Sequence, residues 1–280
     1  MPCDSPVSFD DDDDIRAAAR YYDDTDVSRF YASCWGGDDI HIGLYESGNE
    51  TIAAASAAMT RHLIALSGIG KGQRVLDLAC GFGGSLRTLA RMGCEALGID
   101  ISAACVQRAR RLNADAGLDA SIDVRIGDFH AVDSDSEAFD ALLCQESIIH
   151  SPRRAQVFAE AFRLLRPGGV LAVSDIMASG DADPDSVRAA FARLGVSELA
   201  ALDDYRRMVE AAGFRVEHVE TRQADIRTHY AKLAERLRAS VPDLDSSRVQ
   251  AIASNIRLWQ RALARGDITW ACLIARKPIG

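Results

Sequence analysis

The chain has 280 residues, 48% hydrophobic and 26% charged, enough for one large or two small globular domains with a core of their own. With 41 acids against 32 bases its formal charge is −9, the wrong sign for wrapping a polyphosphate, so nucleic acid is not expected as a partner. No run approaches the roughly 18 uninterrupted apolar residues of a membrane span, and the start, MPCDSPVSFDDDDD, is acidic where a targeting peptide is basic, so the expectation is a cytoplasmic protein without a membrane partner.

The skew of 30 Asp over 11 Glu and 29 Arg over 3 Lys fits a salt-adapted surface and a GC-rich genome equally well. Seven cysteines, at 3, 34, 80, 94, 105, 144 and 272, include no Cys-x-x-Cys pair, which argues against a disulfide framework and against a thiolate metal site. Reduced, buried thiols and no metal are expected.

Taken in chain order, the run Asp10 to Asp14 repels itself and predicts a disordered acidic tail over 1–14. Residues 15–66 read as an N-terminal helical cap with apolar spacing at Ile52, Leu63, Ile64 and Leu66, interrupted by the Gly-rich segment Trp35-Gly-Gly-Asp-Asp-Ile-His-Ile-Gly-Leu-Tyr45. From 67 to 222 the text changes. Strand-sized apolar runs at 74–79, 96–100, 122–126, 140–144 and 169–174 alternate with helical segments at 84–92, 102–116 and 153–165. Arg166-Pro-Gly-Gly169 stops the last of these helices. Such alternation predicts a doubly wound α/β fold, a parallel sheet covered on both faces. A helix over 203–212 and a strand over 214–221 follow, then a helical lid inserted over 223–266, and a final strand, 268–275, within the closing segment 267–280.

The chemistry concentrates first in Val75-Leu-Asp-Leu-Ala-Cys-Gly-Phe-Gly-Gly-Ser85, a strand leading through a glycine turn into a helix. Gly81 and Gly83 let the backbone approach a nucleotide, and Asp100, nineteen residues after Gly81 at the end of the next strand, can accept both ribose hydroxyls. A dinucleotide fits this much. Two details favour another ligand. The third small position of a dinucleotide turn is Leu86 here, and Asp77 sets an acid beside the turn that would repel a diphosphate and welcome a cation. Cys80 reads as a small filler, not a nucleophile.

Asp77-x-x-x-Gly-x-Gly followed by Asp100 resembles the class I S-adenosylmethionine-dependent methyltransferases, whose cofactor carries a sulfonium, an ammonium and a ribose but no phosphate. Gly127-Asp-Phe129 looks like that family's adenine contact, Leu164-Leu-Arg-Pro-Gly-Gly169 like its entry to the fifth strand, and the strands at 214–221 and 268–275 like its antiparallel finish. The resemblance implies a Rossmann-like sheet of seven strands with the last antiparallel. It also implies a cofactor set of Asp77, Ala79, Gly81 and Gly83 at the turn, Asp100 and Ile101 after the second strand, Asp128 and Phe129 after the third, and Gln145 after the fourth.

Residues 21–45 hold six of the chain's 18 aromatic residues, and aromatic faces attract alkylated ammonium groups. Tyr21-Tyr-Asp-Asp-Thr-Asp-Val-Ser-Arg-Phe-Tyr31 and Cys34-Trp-Gly-Gly-Asp-Asp-Ile-His-Ile-Gly-Leu-Tyr45 resemble the sarcosine/dimethylglycine N-methyltransferases of betaine synthesis, as do Ile256-Arg-Leu-Trp-Gln-Arg-Ala-Leu in the lid and the strand from Gly266 to Arg276. This implies an enzyme that methylates sarcosine to dimethylglycine and dimethylglycine to glycine betaine, with S-adenosylmethionine as donor. Tyr22, Tyr31, Trp35, His41 and Gly43 are the implied substrate residues, and Glu146, His150 and Tyr22 the catalytic candidates. For the substrate carboxylate, Arg29, Arg257 and Arg261 are suitably located. The competing readings are a methyltransferase of the same fold acting on another small amine, a lipid or a ring carbon, a nicotinamide-dependent oxidoreductase, and a cofactor-binding regulator without catalysis. The partner expected is a small amine, in a chain that could form a homo-oligomer.

Overall fold

The apolar runs of the sequence become seven strands in the computed structural model, which describes residues 19–24, 30–35, 37–194, 196, 199–239 and 246–280. The acidic segment 1–14 and Arg29 lie outside the described residues. The strands are β1 (Arg74–Leu78), β2 (Glu95–Asp100), β3 (Ile122–Ile126), β4 (Phe139–Gln145), β5 (Leu165–Ala178), β6 (Arg215–Thr221) and β7 (Ile268–Arg276). They make one sheet in the order β3-β2-β1-β4-β5-β7-β6, parallel through β5, with β7 antiparallel between β5 and β6. The chain steps outward from β1 to β3 and then returns to β4 on the other side of β1. The crevice at the carboxyl ends of β1 and β4 is therefore the switch point at which such sheets bind ligands.

The fifth strand is longer than the run 169–174. It starts at Leu165, paired with Phe139, and resumes at Val170, paired with Ala141. The register shift between these two pairs absorbs Pro167 and the glycines, so a segment that ends the preceding helix is taken into the sheet as an irregularity.

Among the described residues, the α-helices around the sheet are α1 (Ile52–Ser67), α2 (Gly84–Arg91), α3 (Ala103–Asp115), α4 (Arg154–Leu164), α5 (Pro184–Phe191), α6 (Leu202–Ala211), α7 (Gln223–Ala239) and α8 (Ser246–Arg265). Thr51 starts α1 by accepting the Ala54 N–H, and Gly68, left-handed at φ 71°, ends it. This helix packs on β5, β7 and α2, so the segment expected as a cap contributes in α1 a layer of the sheet's own cover. One face of the sheet is buried under Met59 and Leu63 of α1, Leu86 of α2, Val106 of α3 and the lid residues Ile226 and Trp259. The other is buried under Phe158 of α4 and Tyr205 of α6.

The lid helices α7 and α8 pack on each other, and α8 also on α5. Trp259 is fully buried, stacked on Tyr230 with ring centroids 4.7 Å apart and 4.2 Å from the Phe191 ring. Leu233, Leu237, Ile252 and Ile256 are buried beside it. At about 1.5–3 kcal/mol for each such side chain, the lid belongs to the core.

Candidate active site

Between β1 and α2 the backbone turns left-handed three times, at Ala79 (φ 63°), Gly81 (φ 54°) and Gly83 (φ 76°). Alanine in that region costs about 1–2 kcal/mol, a strain tolerated where a turn must open toward a ligand. At Gly81 a side chain would also meet Ile40 of the cap, 3.1 Å from where its Cβ would sit. Asp100, only 8% exposed, holds this turn: Oδ2 accepts the Gly81 N–H (2.8 Å) and Oδ1 the Ser102 N–H (2.9 Å). Burial raises its pKa to about 6. Asp77 is also raised to about 6 by burial. It takes the Ser85 hydroxyl from α2 and so staples the helix to β1 from behind the turn. The bulk of Leu86 is accommodated by Gly98 on β2, where any side chain would collide with it. This inverts the packing of a dinucleotide turn, which keeps the helix residue small.

The carboxyl ends of β1 to β4 and the cap line a partly open pocket, the concave kind of site in which small molecules bind. Of the residues expected around a cofactor, Ala79, Gly81, Asp100, Ile101, Asp128, Phe129 and Gln145 line it, while Asp77 and Gly83 stand behind the wall. Of those expected on the acceptor side, Tyr22, His41, Glu146 and His150 line it. Tyr31, Trp35 and Gly43 do not. Trp35 is buried with its ring against Tyr31, Phe30, His229 and Tyr230 and donates its indole N–H to the His41 carbonyl. It supports the cap from outside the cavity.

The cap crosses the turn as a string of contacts. Asp39 lies against Gly84, Ile40 against Gly81, and Gly43 against Ala55 of α1 so closely that a methyl group there would collide. The Ile42 N–H donates to Glu146 Oε2 (3.1 Å), while Glu146 Oε1 accepts the Ser174 hydroxyl (2.6 Å) and the Trp270 indole (2.9 Å). Glu146 thus ties the cap to β5 and β7, from a left-handed backbone at φ 48°. Burial alone would lower the His41 pKa, but its neighbour Glu146 outweighs that and holds it above the ordinary value. Farther along, the Gly43 N–H and the Tyr45 hydroxyl both meet His229 Nδ1 on α7, each at 3.1 Å, and the Tyr45 N–H donates to Asp225 (2.7 Å). Burial pushes His229 down to about 3, so it is a neutral acceptor at Nδ1 with its hydrogen on Nε2.

On the opposite wall the Tyr22 hydroxyl lies 3.2 Å from His150 Nε2. Burial keeps the Tyr22 phenol well above its ordinary pKa. The short turn Ile148–His150 is fixed by Asp175, which accepts the Ile149 N–H (2.9 Å) and the Tyr205 hydroxyl (2.8 Å). Arg257 bonds Ser254 on the exposed side of α8, and Arg261 is exposed as well, so neither reaches the cavity. No Lys or Arg is among the described lining residues, which include the acids Asp100, Asp128 and Glu146. That charge pattern suits a cationic ligand.

Cys105, Gly127, His130 and Ser147 also line the cavity and are absent from the residues expected on sequence grounds. Gly127 opens the Gly127-Asp-Phe129 motif already singled out, and His130 follows it. Asp175 carried its own signal, an acid inside the apolar run Gly169–Met177. His229, 186 positions from its partner Gly43, had none.

A methyltransferase-domain family model matches residues 69–230, from the loop before β1 into α7. Dimethylglycine N-methyltransferase of Parasynechococcus marenigrum is 34% identical over 267 residues, 93% of this chain and 95% of that protein. The chain belongs to the sarcosine/dimethylglycine N-methyltransferase family. Its similarity to sarcosine/dimethylglycine N-methyltransferase of Halorhodospira halochloris is 32% identity over 95% of this chain and 98% of that one. A solved chain from Galdieria sulphuraria, assigned as a sarcosine dimethylglycine methyltransferase, superposes with a TM-score of 0.85 at 28% identity, covering 91% of this chain and 99% of that chain. This methyltransferase takes its methyl group from S-adenosylmethionine, the cofactor held by solved neighbours of the same fold.

Proposed function

We propose that the enzyme methylates sarcosine to dimethylglycine and dimethylglycine to glycine betaine. The observation that carries this is the extent of its likeness to enzymes named for those substrates, 93–95% of the chain, which takes in the cap that closes the cavity. S-adenosylmethionine, when bound, supplies a methyl group on a positive sulfur. Asp100 is the acceptor for its ribose hydroxyls and Asp128 for its base, both lining the cavity. Gln145, Ala79, Ile101 and Phe129 complete that side of the wall.

The amine must reach the methyl group unprotonated. The Tyr22–His150 pair is the proton acceptor on the acceptor side, since the oxygens of Glu146 already hold the cap, Ser174 and Trp270. Glu146 therefore positions the cap, and His41 beside it is the candidate receiver of the substrate carboxylate. Tyr31, Trp35 and Gly43 act one layer out, holding that cap in place. Alignment and exclusion of water do most of the work, worth several kcal/mol of barrier.

The test is methyl transfer from S-adenosylmethionine to glycine, sarcosine, dimethylglycine and a panel of unrelated amines, followed by mass spectrometry. Products from sarcosine and dimethylglycine are expected. Product from another amine only, with none from these two, overturns the substrate assignment.

A further inference from the structure

His130 is nearly inaccessible, its side chain 2% exposed, and is bonded at both ring nitrogens. Nδ1 lies 2.6 Å from Asp128 Oδ1 and Nε2 lies 2.7 Å from the Ser151 hydroxyl. The Ser151 oxygen also accepts the Arg153 N–H (3.0 Å). The arrangement that satisfies all of these groups sends the Ser151 hydrogen to Nε2 and puts the ring hydrogen on Nδ1, toward Asp128. The His130 backbone N–H donates to the same Asp128 oxygen (2.9 Å). Two donors from one residue therefore fix Oδ1, and Oδ2 takes neither of them, in a residue that lines the cavity. The His130 ring further packs 4.7 Å from the ring of Phe129, another lining residue.

We propose that His130 is a positioning residue that sets the base specificity of the cofactor site. It rests on the reading of Asp128 as the contact to the cofactor's base. A carboxylate oxygen only accepts, so in that place it selects a base edge carrying an amino group and rejects one carrying a carbonyl. Asp128 sits in a turn and is 18% exposed along its side chain. Without the ring bond, with the backbone N–H alone to hold it, the carboxylate would turn among its rotamers, and the selection would go with it.

The test compares, by calorimetry, binding of S-adenosylhomocysteine and of S-inosylhomocysteine, in which a carbonyl replaces the amine. The wild-type enzyme is expected to prefer the adenine compound by about tenfold or more. H130N keeps an amide donor near the position of Nδ1 and should retain that preference. H130Q keeps one only near Nε2 and should lose most of it, with Kd values converging to within about threefold. Equal ratios in H130N and H130Q overturn the proposal, as does a wild type without preference. D128N tests the underlying reading separately. It should abolish the preference, and if it does not, Asp128 is not the base contact and the role of His130 falls with it. If H130Q does not fold, H130A, which removes the Nδ1 donor and leaves the backbone N–H, must lower the ratio relative to wild type, and an unchanged ratio overturns the proposal.

Discussion

Asp100 joins the glycine turn to the start of α3 with one oxygen on each, and it does so buried, with a pKa near 6. A ribose is held best by the ionised form, and a positive sulfur favours that form further. Affinity for S-adenosylmethionine should therefore fall several-fold as pH is lowered from 8 to 5.5 through that value. The same titration of Asp100→Asn should be nearly flat, and calorimetry at fixed ionic strength checks both. Glu146 makes a second test at this scale. An amide in its place must turn a donor toward the Ile42 N–H or toward Ser174 and Trp270. Glu146→Gln should lose about 1–3 kcal/mol of stability in urea unfolding. That loss would mark it as the cap's anchor, whereas full stability with lost turnover would return it to the chemistry.

At the scale of elements, the cap lies directly on α1 and is gripped by α7. Gly43 sits against Ala55, so Gly43→Ala has to separate the cap from α1 or bend it. A cost of about 1–3 kcal/mol in unfolding is expected, together with weakened turnover, and an unchanged melting temperature would contradict the packing. Much of the architecture was legible here because strands buried on both faces read as continuous apolar runs, as Val170 to Val173 does. The start of β5 was not legible, because Pro167 and its glycines spell a helix stop whether or not a bulge then admits them to a sheet. The Trp35–Tyr45 string was legible as a segment outside the sheet core. Its geometry was not, since the hydrogen bonds of Gly43 and Tyr45 to α7 span some 180 positions or more, and local periodicity carries no information at that range.

For the molecule as a whole, buried acids couple folding to pH. Burial raises Asp175 to about 7, above its unfolded value of about 3.9. The stability it contributes is present at low pH and is lost as pH rises through the folded pKa. Between pH 5.5 and 8 the wild type should lose about 2 kcal/mol relative to Asp175→Asn, at about 1.36 kcal/mol per unit over the window below pH 7. Urea unfolding of both proteins at the two pH values checks this, and a constant difference between them would refute it.

The six described cysteines are all buried, and Cys105 borders the cavity itself. Burial first, and then the negative charge of Asp100, keep that thiol protonated well above its ordinary pKa. An enzyme that binds an alkylating agent beside sulfur is exposed to the risk of methylating itself. Burial and the charge of Asp100 leave that thiol a poor nucleophile, so at this edge of the cavity the protein offers little that would compete with an incoming amine.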